Sequence, residues 1–262
     1  MQGQEIALPD RSANIGGALP DELPILYRDE WLVAVHKPAR LPVHPRDPDR
    51  HATRFAVQML RDRICQPVWP VHRLDRGTSG LVLFALDQDT LRLLSHQFEA
   101  GEVDKRYLAV VRGHPPESGR IDHPLTPLAD SRAGLRLDKP PQSAVTLFRR
   151  LLTVELPYRV DRYPTSRYAL LELHPVTGRR HQLRRHLKHI AHPVIGDTTH
   201  GKGRHNRLFQ DLFGCHRLLL ASVGLTLRHP MTGALLQLEA PLAADFWAVL
   251  GQLGWRGVAN VD

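Results

Sequence analysis

The chain predicts an α+β fold built on a mixed, mainly antiparallel sheet. Three observations carry this reading. Strand-like apolar runs outnumber helix-like ones, and the two kinds do not alternate as a doubly wound fold requires. No internal repeat, heptad or low-complexity segment is present. With 262 residues, 42% of them hydrophobic, there is enough apolar surface for one large core or two small ones. One domain is expected over 22–262, after a loose polar tail at 1–21 that contains Gly16-Gly17.

Ile25-Leu26-Tyr27 and Trp31-Leu32-Val33-Ala34-Val35 read as strands around the turn Arg28-Asp29-Glu30, and Lys37-Pro38 ends the second. Arg40 to Arg54 is rich in Pro, His, Asp and Arg and reads as a loop. Phe55 to Arg63 has helical apolar spacing. Leu81 to Leu86 is an apolar run and a buried strand. Asp87 or Asp89 caps a helix reaching about Glu99, with Leu91, Leu94 and Phe98 on one face and Gly101 at its end. Lys105 to Val111 is a strand with a basic start, and Gly113 to Gly119 a turn. Residues 120–143 contain four prolines and read as a loop. Ala144 to Leu152 and Tyr168 to Leu173 are strands, Pro175 to Gly178 a turn, and Arg179 to Ile190 a helix. Residues 196–216 read as a polar loop and Arg217 to Ser222 as a short apolar segment. Leu225 to Arg228 and Ala234 to Glu239 form a hairpin. A last helix covers Ala244 to Leu253, with Trp247 and Leu250 inward.

Lys and Arg number 35 against 27 Asp and Glu, and the formal charge is +8. That balance points to a polyanionic partner, nucleic acid first, although it also serves solubility. Two cysteines, Cys65 and Cys215, are far apart, so neither a disulfide framework nor a metal-ligand pattern is expected. No signal peptide and no run of roughly 20 apolar residues is visible, so no membrane is expected and the cytoplasm is the default compartment. A monomer is expected.

Two stretches could carry chemistry. The first is Val71-His72-Arg73-Leu74-Asp75-Arg76-Gly77-Thr78-Ser79-Gly80-Leu81, a loop that turns at its glycines and runs into the apolar strand. A carboxylate at the mouth of a rigid strand is well placed for catalysis. An Arg-Asp-Arg cluster serves equally as surface ion pairs, and local spacing does not choose. The second is Thr177-Gly178-Arg179-Arg180-His181-Gln182-Leu183-Arg184-Arg185-His186-Leu187-Lys188-His189, inside a span from Leu173 to Gly196 with no acidic residue. On a helix, Leu183, Leu187 and Ile190 face the core, while His181, Arg184, Arg185 and Lys188 share the other side. Such a face suits a phosphate backbone or plain solvation, and one of its arginines could instead reach inward to a buried carboxylate. His181, His186, His189 and His192 match no metal-binding pattern, and no metal is expected. No Walker loop, GxGxxG or GxSxG appears, so no cofactor is expected.

His72-Arg73-Leu74-Asp75 with Thr78-Ser79-Gly80 resembles the central motif of the large-ribosomal-subunit "A" family of pseudouridine synthases. Lys105-Arg106-Tyr107 matches its tyrosine motif. Gly178-Arg179-Arg180-His181-Gln182-Leu183-Arg184, with His192-Pro193-Val194-Ile195-Gly196-Asp197, matches its arginine motif. Asp29 to Pro38 fits the family's opening, with His36 where Asn is usual. The resemblance covers roughly residues 23–256 and implies the pseudouridine synthase fold, with a catalytic cleft across the sheet and no separate N-terminal RNA-binding domain.

What the resemblance implies for function is concrete. An RNA uridine is isomerised by breaking its N1–ribose bond, turning the base and rejoining it through C5. Asp75 is implied as nucleophile or base, Arg184 as its cationic partner, and Tyr107 as the residue stacked on uracil. Arg73 is implied to fill the gap left by the flipped nucleotide. His72 is read as structural. Arg76, Arg179, Arg180, Arg185 and Lys188 are expected to bind RNA. Arg162 to Tyr168, Arg185-His186-Leu187, His200-Gly201, Asn206-Arg207 and Gly254-Trp255-Arg256-Gly257 are most similar to members that act on tRNA at uridine 65. The alternatives are a ribosomal RNA substrate and a non-catalytic RNA-binding protein. Loss of Arg184 is expected to damage catalysis more than folding.

Overall fold

The structure is a computed structural model and describes residues 22–45, 54–128 and 140–255. The expected tail, residues 46–53 and 129–139 of the two expected loops, and residues 256–262 lie outside the described residues.

Strands β1 (Ile25–Arg28) and β2 (Leu32–Lys37) pair antiparallel. Their turn is held by Asp29, whose carboxylate accepts from the N–H groups of Trp31 and Leu32 at 2.8 and 2.9 Å. Helix α1 (Ala56–Ile64) buries Ala56 and Leu60 and stops where Cys65 turns left-handed. A two-residue strand, β3 (Trp69–Pro70), precedes the loop of Asp75 and strand β4 (Ser79–Ala85). All seven residues of β4 are buried, so the apolar run occupies the middle of the sheet. Helix α2 (Gln88–Ala100) starts at Asp87, which accepts from Thr90 N–H, and ends at left-handed Gly101.

Strand β5 (Asp104–Arg112) leads to β6 (Ser118–Asp122), β7 (Val145–Leu156) and β8 (Ser166–Pro175). The β6 strand corrects the expectation that 120–143 is a loop from its start. Only Ile121 of β6 is buried, so the segment carries little apolar signal, and its pairing with β7 holds it. Helix α3 (Gln182–His189) begins three residues later than expected, because His181 is left-handed at φ 55°. Helix α4 (Gly203–Phe213) corrects the polar-loop reading of 196–216. The separate segments expected at 217–222 and 225–228 are largely one strand, β9 (Leu220–Arg228), which pairs with β10 (Leu235–Glu239). Helix α5 (Ala244–Gln252) buries Phe246, Val249 and Leu250, and half-buried Trp247 packs against the same core.

The strands form one sheet in the order β1-β2-β4-β9-β5-β8-β7-β6, with β3 on β4 and β10 on β9. Among the described residues every pairing of named strands is antiparallel except β4 with β9, which meet only at Ser79↔Ala221 and Gly80↔Ser222. The expected mixed, mainly antiparallel α+β sheet is therefore what forms. Beyond those two pairs β4 turns to β3 instead, at Trp69↔Ala85 and Pro70↔Phe84. The sheet forks there, and the loop from Val71 to Thr78 lies in the fork. Val71 N–H donates to Leu83 O, which keeps the loop beside β4. Gly80 makes the junction possible. Its φ is +107°, and a Cβ there would lie 2.0 Å from Ser222 O. One face of the sheet packs Val82, Phe84, Ala109 and Val111 against Leu60, Leu183 and Leu187 of α1 and α3. The other packs Val110, Leu170 and Val223 against Phe209 of α4 and Phe246 of α5.

Candidate active site

The fork opens into a cleft of about 820 Å³, lined by Asp75, Tyr107, Arg184, Arg73, Arg179 and His181 among others. The three residues expected to be catalytic therefore meet in one cavity, from a loop, a strand and a helix. Arg184 Nη1 donates to Asp75 Oδ2 at 3.0 Å, across a sequence separation of 109 residues. Tyr107 is buried on β5, and that burial pushes its phenol up to about 12, so it stays protonated at neutral pH.

Arg184 does more than touch Asp75. Its Nε and Nη2 donate to Asp197 Oδ2 and Oδ1 at 2.7 and 2.8 Å, a fork-to-fork pair. Asp197 Oδ1 also accepts from the N–H groups of Thr199 and His200. Burial works against the Asp197 carboxylate, but Arg184 and those N–H groups hold its pKa below the usual range. Burial likewise opposes the Arg184 charge, and Asp197 and Asp75 together raise its pKa above the ordinary arginine value. The helix missed in the sequence supplies the next layer. Asn206 on α4 donates to Asp197 O at 3.0 Å and accepts from Gly196 N–H at 2.8 Å. At the start of α3, the Gln182 side chain accepts from Arg179 N–H and the Thr177 hydroxyl, and donates to Val145 O and Thr146 Oγ1. Asp197 and Asn206 lie in motif-like stretches of the sequence but carry no local sign of such roles. Their signal is tertiary.

The loop of Asp75 is pinned from several sides. Lys37 is fully buried and its ammonium donates to the carbonyls of Pro38, Leu41 and Arg76. Leu74 is buried in the core, and Ser79 Oγ accepts from buried Arg217 Nη2. His72 Nε2 accepts from Leu83 N–H at 3.1 Å and its ring stacks on Phe98. Burial, with Lys105 nearby, pushes His72 down to about 3. A neutral ring accepting a backbone N–H suits the structural reading of this residue.

The basic residues separate. Arg73 is exposed and lines the cleft, as does exposed Arg179, whose Nε donates to Ser143 O. Lys105, part of the tyrosine motif but given no site role from the sequence, is also a buried cation on the cleft wall, and its burial lowers its pKa. Arg76, Arg180, Arg185 and Lys188 do not line the cleft. Arg76 Nε donates to Arg40 O. The shared basic face expected on α3 is not present as such: Arg184 is buried, His181 precedes the helix, Arg185 is half-buried and Lys188 exposed.

The family model described as RNA pseudouridylate synthase matches residues 31–189, which hold the Asp75, Tyr107 and Arg184 positions. The chain belongs to that family. A relative from Pectobacterium carotovorum subsp. carotovorum, named tRNA pseudouridine synthase C, is 49% identical over 238 residues, 90% of this chain and 63% of that protein. The chain thus spans less than two thirds of that relative. Another relative of the same name, from Haemophilus ducreyi, is 47% identical over 236 residues, 90% of this chain and 97% of that protein. Among solved structures, Human RNA Pseudouridylate Synthase Domain Containing 4 aligns with a TM-score of 0.66 at 26% identity, covering 88% of this chain and 93% of that one. Human RNA Pseudouridylate Synthase Domain Containing 1 aligns at 0.68 and 24% identity, over 87% and 88% of the two chains, and shares the fold. The mixed, mainly antiparallel α+β sheet of this family member is thus a pseudouridine synthase fold.

Proposed function

We propose that this chain isomerises uridine to pseudouridine in tRNA, at uridine 65, with Asp75 as the reacting carboxylate. The observation that carries the reading is the Asp75–Arg184 pair at 3.0 Å in a cleft it shares with Tyr107. The relatives named tRNA pseudouridine synthase C support tRNA over ribosomal RNA. The reaction breaks the N1–C1′ bond and forms C5–C1′. A proton leaves C5 and one is gained at N1, so the isomerisation balances within the substrate.

The residues divide the work. Asp75 acts at the ribose–uracil bond, held by Arg184 on one oxygen. Tyr107, protonated and buried, stacks on the base. The exposed Arg73 occupies the gap left in the stack, which offsets part of the few kcal/mol that flipping costs. Arg179 adds a cation at the cleft, and Arg76, Arg180, Arg185 and Lys188 act outside it on phosphates. The protein works as a monomer in the cytoplasm. Carbodiimide mapping of tRNA and ribosomal RNA after incubation with the protein tests this. A new reverse-transcription stop one nucleotide 3′ of tRNA position 65 supports it, and modification of ribosomal RNA alone overturns the substrate.

A further inference from the structure

We infer that His200, which does not line the cleft, fixes the tautomer of His181 so that an N–H of His181 faces Asp75. The inference rests on the proposed role of Asp75 for its functional consequence, and on geometry alone for the tautomer. His181 Nδ1 lies 3.0 Å from His200 Nε2. Its other nitrogen, Nε2, lies 3.8 Å from Asp75 Oδ1. Two ring nitrogens at 3.0 Å need one proton between them. If His181 Nδ1 carries that proton, a neutral ring points the lone pair of Nε2 at a carboxylate oxygen. If His200 Nε2 carries it, His181 holds its proton on Nε2 and points an N–H dipole at the same oxygen. The charge on Asp75 selects the second arrangement. Both rings are neutral near pH 7, since burial lowers the pKa of each.

Backbone geometry prepares this contact. His181 sits in the left-handed region at φ 55°, immediately before α3. Asp197 accepts the backbone N–H of His200 at 2.8 Å and also binds Arg184. One buried carboxylate therefore holds both groups that address Asp75: Arg184 on Oδ2, and His200 acting through His181 on Oδ1. Arg184 bonds Oδ2 at 3.0 Å, while His181 Nε2, at 3.8 Å and beyond hydrogen-bond length, acts on Oδ1 as an oriented dipole. His200 is thus a positioning residue rather than a catalytic one.

The test combines spectroscopy with kinetics on the full chain. Long-range ¹H–¹⁵N spectra of protein labelled at histidine nitrogens should give His181 the Nε2–H pattern in the wild type. His200→Phe keeps a ring and removes the donor. It should move His181 toward Nδ1–H or a mixture, and lower kcat by about tenfold with KM unchanged. His200→Gln returns a donor N–H and should restore most of both. An Nδ1–H pattern in the wild type overturns the inference, whatever the variants do. So does an unchanged tautomer with unchanged kcat in His200→Phe. If the wild type forms no pseudouridine in any RNA, the proposed function fails instead, and the nitrogen spectra alone decide the tautomer.

Discussion

Arg184 commits all three of its donor nitrogens to two carboxylates, and that count decides what its loss does. Asp197 is 1% exposed and would be left as a buried charge without its cation. Breaking a buried pair in this way costs about 3–5 kcal/mol. The expectation that Arg184 matters more to catalysis than to folding is therefore revised. Arg184→Ala should lower unfolding free energy by about that amount as well as remove activity, and a denaturant midpoint equal to wild type would refute this. Asp75 is different, since its side chain is 20% exposed at the cleft. Asp75→Asn keeps the shape and the contact with Arg184. It should reduce pseudouridine formation on the order of 10³-fold or more, with RNA affinity within about twofold of wild type. Residual isomerisation near wild-type rates would dismiss Asp75 as the reacting group. The sequence holds Asp75 between Arg73 and Arg76, and its actual partner is 109 residues away. No local spacing contains that distance. The helical face offers an arginine that reaches inward to some carboxylate, and only the motif resemblance names Arg184 and Asp75; Asp197, the second partner, has no such pointer.

At the scale of elements, the two-residue parallel meeting of β4 and β9 is the narrow point of the sheet. Gly80→Ala would force a Cβ to within 2.0 Å of Ser222 O at a φ of +107°. The junction would have to part, at a cost of about 3 kcal/mol or more, and the loop of Asp75 would lose its end point. Thermal melting should show a clear loss, and a wild-type Tm would mean the fork tolerates movement. The β4 run and the Asp87 cap of α2 were readable locally, because each signal lies within a few residues. Helix α4 was missed although Leu208, Phe209, Leu212 and Phe213 repeat at helical spacing. The Gly and His residues around them were read as loop composition. The early start drawn for α3 failed because His181 gives no sequence sign of its left-handed backbone. The remaining charges of that helix make a prediction of their own. Lys188 is exposed on α3, so Lys188→Ala should lower the slope of log K against log salt for tRNA by about 1, with kcat unchanged. An unchanged slope would make Lys188 a solvated charge.

For the whole molecule, histidine burial sets how the protein answers acid. His36, His72, His181, His186, His192, His200 and His205 all have pKa values lowered, chiefly by burial. His72 falls to about 3 and His181 to about 4. In the unfolded chain each titrates near 6.5. Between about pH 6.5 and each folded value, the unfolded state binds protons that the native state does not. Stability therefore rises with pH across this window, by up to about 1.4 kcal/mol per pH unit for each proton of difference, and is lost as pH falls. Asp29 and Asp197 have lowered pKa values, so their contribution is lost as pH falls further, through the carboxylate range. The two sets separate by pH. A loss already present between pH 6.5 and 5 belongs to the histidines. Melting temperatures measured at constant ionic strength should be level above about pH 7 and fall steadily from pH 6.5 to 5. Equal values at pH 7.5 and 5 would mean that these rings protonate without strain in the folded state. That outcome would also remove the neutral His72 that accepts the Leu83 N–H beside the loop of Asp75.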